Sequence, residues 1–395
     1  MPWKESTAVN ERMKFIYRLE DGEKMTDLCR EFNISRKTGY KIYNRYKDSG
    51  LLALYDNKRG PRRAANRTPD YIQSLILKKK KVNPTWGAPK IREWLVRKYP
   101  SEIIPVKSTV HCILDKNGLV KKKRRKNSFK AIPTNLSVPS KANDLWCIDY
   151  KGQFRLRNRK YCYPLTITDQ VSRYLLACEG FSSIRSLDSQ VVCEELFREY
   201  GLPNAIRSDN GEPFSSRSIW GLSSLSIWWL RLGIKLERIN PGHPEQNGQH
   251  ERMHRTLKAD ATKPTGLNLL HQQEIFNKFK DEFNLERPHE ALKMKTPNDI
   301  YKKSNRCYPD SLPEPDYSGC DLTKTVTKCG SVNIHNKDKL FVSTAFRGQP
   351  LGLTEHDGNI WQLDFMDYTL GFFDKDHRRL TLSDSPFDIN LGSVT

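Results

Sequence analysis

The 395-residue sequence contains no C-x-x-C pair and no unbroken apolar run long enough to cross a bilayer. Its opening "MPWKESTAVNERMK" has no apolar stretch of signal-peptide length. The nine cysteines, at 29, 112, 147, 162, 178, 193, 307, 320 and 329, are odd in number and widely spaced. That pattern argues against a zinc ribbon or a disulfide framework and for buried free thiols in a reducing cytosol. Acids are scarce in the first third. Residues 1–140 hold 33 Lys/Arg against 13 Asp/Glu, whereas the remaining 255 hold 34 against 33. Nearly all of the net charge of +21 therefore lies in the first third. A basic arm on a neutral remainder suggests polyanion binding attached to another machine. A membrane surface would satisfy the charge equally, but the organisation of the arm favours DNA.

Residues 12–48 read as three short helices. "KMTDLCREF" places Met25, Leu28 and Phe32 on one face, and the turn "NIS" leads into "RKTGYKIYNRYKDSG", with Ser35 as N-cap and Gly50 as stop. This is the helix-turn-helix pattern, with Arg36, Lys37, Thr38 and Lys41 placed to meet base edges or phosphates, and Tyr43 and Tyr46 packing inward. The linker "NKRGPRRAANRTP", carrying Arg62 and Arg63, suits an extended segment that follows phosphates. Beyond it, Ile72/Leu75/Ile76, Ile91/Trp94/Leu95 and Val110/Ile113/Leu114 repeat one i, i+3, i+4 spacing, as three helices sharing a small core would. "PVKSTVHCILDKNGL" reads as a second recognition helix, capped by Ser108 and closed by Gly118. Its Lys107, Ser108 and Thr109, together with Lys90, are expected at DNA. The run Lys121, Lys122, Lys123, Arg124 and Arg125 reads as a tether lying along it.

From residue 144 the texture changes to strand-like runs ("DLWCIDYKGQF", "KYCYPLTITD", "RYLLACEGF"), then helix, strand, helix, strand, helix, which indicates an α/β layer fold. Asp149, Asp209 and Glu251 each fall at a strand end or a first helical turn, where active sites collect in such folds. A lone loop Asp is usually a cap or turn residue. Asp149 is harder to dismiss, because acids are poor strand formers and Trp146 and Ile148 flank it. Three such carboxylates would repel unless a hard divalent cation such as Mg2+ or Mn2+ joined them, and paired ions of this kind support in-line displacement at phosphorus.

"WCIDY", "RSDNGEPF" and "PGHPEQNGQHERMHRTLK" resemble the three acidic motifs of bacterial insertion-sequence transposases of the D,D,E type, whose core is similar to that of retroviral integrases. "WGAPKIREWL", "STVHCIL" and "NLERPHEAL…TPNDIY" extend the likeness over most of the chain. The resemblance implies a ribonuclease-H-like core with Asp149, Asp209 and Glu251 as catalytic metal ligands, holding two Mg2+ or Mn2+ ions. It implies an Asn247-Gly248 turn into a catalytic helix whose Arg255 and Lys258 contact DNA. The 41 residues between Asp209 and Glu251 exceed the family's usual interval, with the surplus in "SRSIWGLSSLSIWWLRLG". The N-terminus lacks the His/Cys cluster of the viral relatives, so no zinc is expected.

"LNLLHQQEIFNKFKDEFN" reads as an amphipathic helix burying Leu269, Ile275, Phe276, Phe279 and Phe283. After about residue 322, "TVTKC", "SVNIH", "KLFVST", "IWQLDFM" and "TLGFFD" suggest a β-barrel of roughly five strands, which the resemblance makes SH3-like. The expected organisation is multi-domain: an all-α tandem of helix-turn-helix units (1–57 and 58–131), an α/β ribonuclease-H-like core (132–303) and a small C-terminal β-barrel (304–395). The expected activity is transposition in the bacterial cytoplasm, on the nucleoid. The protein would bind its element's terminal inverted repeats, expose a 3′-hydroxyl and join it to target DNA, acting as a dimer or tetramer without membrane contact. The alternatives are a domesticated DNA-binding regulator that no longer cleaves, and a ribonuclease-H-like nuclease.

Overall fold

The computed structural model describes residues 7–56, 67–121, 136–240, 243–334, 339–357 and 359–387. Two compact units emerge, Met1–Pro69 and Asp70–Thr395. In the first, α1 (Ala8–Glu20), α2 (Met25–Glu31) and α3 (Arg36–Ser49) enclose Phe15, Ile16, Leu28, Cys29 and Leu54, with Tyr43 and Tyr46 packed against them. Ser35 caps α3 by accepting a hydrogen bond from the Thr38 amide at 3.2 Å, and Gly50 stops it in left-handed backbone at φ +61°. Gly39 lies where α3 meets α2. A Cβ there would stand 2.6 Å from Cys29 Sγ and 2.9 Å from Met25 Sδ, so the close approach needs a residue without a side chain.

The second unit opens with α4 (Asp70–Val82), α5 (Ala88–Lys98) and α6 (Lys107–Lys116) around Ile72, Ile76, Trp86, Ile91, Leu95, Val110, Ile113 and Leu114. The repeated triplets do form one core. Ser108 is not a cap, however. Val106 holds extended backbone and α6 begins directly after it, so Ser108 is an exposed second residue of the helix. These helices are docked on the α/β core of the same unit. Lys79 is buried, its ammonium 3.0 Å from Glu286 and 3.9 Å from the centre of the Trp94 ring; Arg97 reaches Asp299 at 2.8 Å.

The core sheet comprises β1 (Leu145–Tyr150), β2 (Phe154–Arg155), β3 (Tyr161–Asp169), β4 (Leu175–Phe181), β5 (Ala205–Ser208) and β6 (Lys235–Arg238). β3 carries β2 and β4 and pairs antiparallel with β1, while β1, β5 and β6 run parallel. Strand alternation divides the core in two. Trp146, Ile148, Leu165 and Ile167 pack with α7 (Ser186–Tyr200) and α8 (Ser224–Arg231). Cys162 and Cys178 pack with α9 (Gly248–Asp260) and α10 (Leu269–Asp281). Phe276, Phe279 and Phe283 are buried as expected, with Leu269 and Ile275 partly so.

The C-terminal strands are β7 (Leu322–Thr325), β8 (Ser331–Asn333), β9 (Lys339–Phe341), β10 (Pro350–Asp357), β11 (Ile360–Phe365), β12 (Tyr368–Asp374) and β13 (Arg379–Leu382). They form an antiparallel sheet in the order β13-β12-β11-β10-β7 and a separate β8-β9 ribbon. Among the described residues no pairing joins β13 to β7, so the sheet is open where a closed barrel was expected. The surplus segment before Glu251 accounts for its own length here. Ile219, Leu222, Ile227 and Leu230 enter the core of the C-terminal sheet, while Leu225, Trp228 and Trp229 on the same stretch enter that of the six-stranded sheet.

Gly39→Ala should destabilise the first unit by about 1–3 kcal/mol through overpacking. Hydrogen exchange in residues 7–56 reads this directly: protection should fall there and stay unchanged in residues 70–387.

Candidate active site

Asp149 is the fifth residue of β1, Asp209 follows β5 directly, and Glu251 lies in the first turn of α9. β1 and β5 are neighbours in parallel, which brings their C-terminal ends to one edge of the sheet. Asp149 is mostly buried, its side chain 17% exposed. Burial first, then the charges of Asp209 and Glu251, push its carboxyl up to about 7. Burial also raises Asp209, partly offset by the Gly211 amide, which donates to its carboxylate at 3.1 Å. Glu251 stands exposed, as do Arg255 and Lys258 on the same helix. The two acids thus lie within electrostatic reach of Asp149. An oxygen-rich acidic set of this kind suits a divalent cation, which would relieve the repulsion.

Two residues that the motif reading passed over lie beneath the acids. His250 and His254 are 1% exposed and, one turn apart on α9, point together into the sheet. Thr166 stands opposite Asp149 in the β1–β3 register. Its hydroxyl donates to the Asp149 carbonyl at 3.1 Å and contacts His250 Nε2 at 2.8 Å and His254 Nε2 at 2.7 Å. Thr168 Oγ1 meets His250 Nδ1 at 2.8 Å, and His254 Nδ1 lies 3.6 Å from Asp149 Oδ2. Burial drives the two rings down to about 3 and about 2, so both are neutral. The available signal was the H-E-x-x-H spacing around Glu251, since residues four apart share a helix face.

Beside α9 a cavity of about 710 Å³ is lined by Lys90, Arg173, Arg252, Arg255, Arg287 and His289, with Asp169 and Glu290 as its acids. Burial, then the nearby Arg287, push Lys90 down to about 8. Burial, then Arg252, lower Arg173 as well. Cations held this close, partly out of water, suit an anionic ligand. The cleft joins Lys90 and Arg255, both expected at DNA, and adds Arg173, Arg252 and Arg287, whose convergence no local motif announces.

The remaining DNA candidates divide by exposure. Arg36, Lys37, Thr38 and Lys41 are exposed at the start of α3, although the Thr38 hydroxyl is 2.9 Å from that of Ser35. Lys107, Ser108 and Lys121 are exposed and Thr109 is half-buried. Asn247 is buried, and its Oδ1 has no hydrogen-bond partner among the described residues, so it offers DNA no open contact here. Arg62, Arg63, Lys122, Lys123, Arg124 and Arg125 lie outside the described residues.

The Asp149 carboxyl gives a pH-dependent stability test. Its value is 3.8 in the ordinary case and about 7 in the fold. Between them the folded protein holds a proton that the unfolded chain has released, so the wild type loses stability as pH rises through that window. Asp149→Asn removes this loss. In metal-free buffer its stability advantage should widen from pH 4 to pH 7, reaching about 1–3 kcal/mol in chemical denaturation. A gap that stays flat would contradict the account.

Residues 139–244 and 232–297 each match the family described as integrase core domain. Residues 11–62 match a helix-turn-helix domain and 38–114 a homeodomain-like domain. The chain is 26% identical over 188 residues to an uncharacterized protein of insertion element IS407 from Burkholderia multivorans, covering 47% of this chain and 65% of that one. It is 27% identical over 179 residues to an uncharacterized protein of insertion element IS476 from Xanthomonas euvesicatoria, covering 44% and 48%. The match thus spans about half to two-thirds of these relatives. The HTLV-2 integrase catalytic core domain, solved in complex with magnesium, aligns at 17% identity and a TM-score of 0.33, over 41% of this chain and 97% of that one. The chain therefore carries helix-turn-helix domains and an integrase core, and its resemblance to insertion-sequence transposases with a retroviral-integrase-like core is borne out.

Proposed function

We propose that the protein is a DNA transposase that binds the terminal inverted repeats of its element, cleaves to expose a 3′-hydroxyl and joins that end to target DNA. One observation carries this reading: Asp149 near the end of β1 and Asp209 just after parallel β5 lie at one edge of the sheet, where the charges of Asp209 and Glu251 both act on the mostly buried Asp149 carboxyl. Acids that repel in this way suit a divalent cation. Mg2+ or Mn2+, two ions held by Asp149, Asp209 and Glu251, would supply Lewis-acid activation of the phosphodiester and of the attacking oxygen. The protein's own part is positioning and charge neutralisation, which dominate catalysis in phosphoryl transfer. Lys90, Arg173, Arg252 and Arg255 in the cleft hold backbone phosphates beside the acids. Lys258, exposed further along α9, extends the same track.

The helical units deliver the DNA. Arg36, Lys37 and Lys41 read one segment from α3, and Lys107, Ser108 and Thr109 read another from α6. Two readers in series select a long site, as an element end requires and a general nuclease does not. Both ends of an element must be processed together, so the active form is a dimer or tetramer on DNA, on the nucleoid of a bacterial cytoplasm. The domain limits of this reading are 1–57, 58–131, 132–303 and 304–395, and the open C-terminal sheet serves assembly.

Asp149→Asn should abolish strand joining of end-derived duplexes in Mg2+ while leaving end binding within about twofold. Lys90→Glu combined with Arg173→Glu should weaken end binding by about tenfold or more and flatten its salt dependence, because phosphate contacts release counterions. Both are measured on end-derived and random duplexes. Full joining by Asp149→Asn, or no preference for the end-derived duplex, would refute the assignment.

A further inference from the structure

Helices α4 to α6 are fixed to the α/β core at several separate places, through α4, α5 and the turn between them. Lys79 of α4 is buried, its ammonium 3.0 Å from the Glu286 carboxylate and facing the rings of both Trp86 and Trp94. Trp94 Nε1 donates to the same carboxylate at 3.0 Å, and the Asn83 amide donates to Glu282. Thr85, between α4 and α5, donates to Asp260 at 3.0 Å. Arg97, in the last turn of α5, donates to Asp299 at 2.8 Å and to the Met294 carbonyl at 3.2 Å. A buried ammonium that lost its carboxylate would be left uncompensated, so this attachment is costly to break. Attachment at several places also resists rotation as well as separation.

The attachment reaches the acids by a short route. Asp260 is the last residue of α9, the helix whose first turn holds Glu251. Helix α6 buries Val110, Ile113 and Leu114 in the helical core and leaves Lys107, Ser108, His111 and Cys112 exposed on its other side. The surface assigned to reading DNA and the acids assigned to cutting it therefore belong to one frame. Successive phosphates of one DNA strand are about 3.4 Å apart along the axis. A misplacement of about 1 Å can already cost a positioned reaction about a hundredfold. A frame firm to less than that distance picks one phosphate out from its neighbours.

We propose that the docked helices α4 to α6 are a ruler, which sets the number of base pairs between the segment that α6 reads and the phosphodiester that is cut. This rests on the reading of the protein as a transposase. Lys79, Arg97 and Glu286 are then positioning residues, which act by holding α6 and α9 at a fixed distance and not on the DNA itself. The site of cutting is specified by its spacing from the read segment as well as by the sequence at the cut.

Full-length protein acting on end-derived duplexes in Mg2+ tests this, with every cut mapped to the nucleotide. Footprinting first locates the segment whose protection Lys107→Ala removes. A single base pair is then inserted between that segment and the cut. The wild-type cut should move with the insertion and keep its distance from the protected segment. This series needs no further variant and so survives if substitutions at the docking contacts misfold. A cut that stays with its original sequence would overturn the ruler and leave the transposase reading intact. Arg97→Ala combined with Glu286→Gln should spread cutting over neighbouring phosphates, lowering the share of the main product at least about threefold with end binding within about twofold. Arg97→Lys keeps a charge for Asp299 and should keep a single cut. A folded double variant that cuts at one unchanged position, at full or reduced yield, would overturn the ruler as well, because a purely structural role changes yield and not register. If the wild type cuts no end-derived duplex, the ruler falls together with the reading on which it rests.

Discussion

A carboxylate held out of water beside two more acids is the constraint on which the centre depends. Asp149 cannot move away from it, since β1 is pinned between antiparallel β3 and parallel β5. Below it, Thr166 and the two histidines form a buried, neutral floor that brings no positive charge to the carboxyl. Every layer around Asp149 thus holds its carboxyl in place beside the other two acids. In the fold such strain is tolerated because the surrounding hydrophobic clusters are large and lie on both faces of the sheet.

The same logic, with the sign reversed, governs the cleft next to α9. Lys90, Arg173 and Arg287 lose hydration in one another's company; the cleft wall carries Asp169 and Glu290, and Arg287 pairs with Asp260 at 3.2 Å. Asp169 is itself committed to the Asn143 amide and to Ser172. Excess positive charge therefore borders excess negative charge along one helix. A polyanion attended by divalent ions satisfies both at once, which neither surface achieves alone.

The sequence made some layers legible and hid others for identifiable reasons. Helical triplets in 72–114 and the caps at Ser35 and Gly50 survive because they are local: a few residues decide them. Asp149 could be singled out because a charge inside a strand violates the strand's own preferences, whereas Asp209 and Glu251, after a strand and in a helix, stood out only through their motifs. The histidine floor could not, because its meaning arises only when β3 is laid beside β1 and Thr166 comes opposite Asp149. Strand β10 escaped notice because Pro350 and Gly352 disguise an alternation of buried Leu351 and Leu353. That glycine is demanded by distant residues, as a Cβ would lie 2.5 Å from Cys320 Sγ and 2.6 Å from the Tyr317 ring. Long-range packing of this kind leaves no local trace.

Helix α8 has seven of its eight residues buried, and its opposite sides belong to different hydrophobic clusters. It leads, after three residues, into β6, which pairs with β5, and the last residue of β5 precedes Asp209. A helix claimed by two interiors behaves as a rigid strut. A displacement of the C-terminal sheet would therefore carry through to the backbone beside Asp209. The extra length between Asp209 and Glu251 thus couples the C-terminal sheet mechanically to the strand that leads into Asp209.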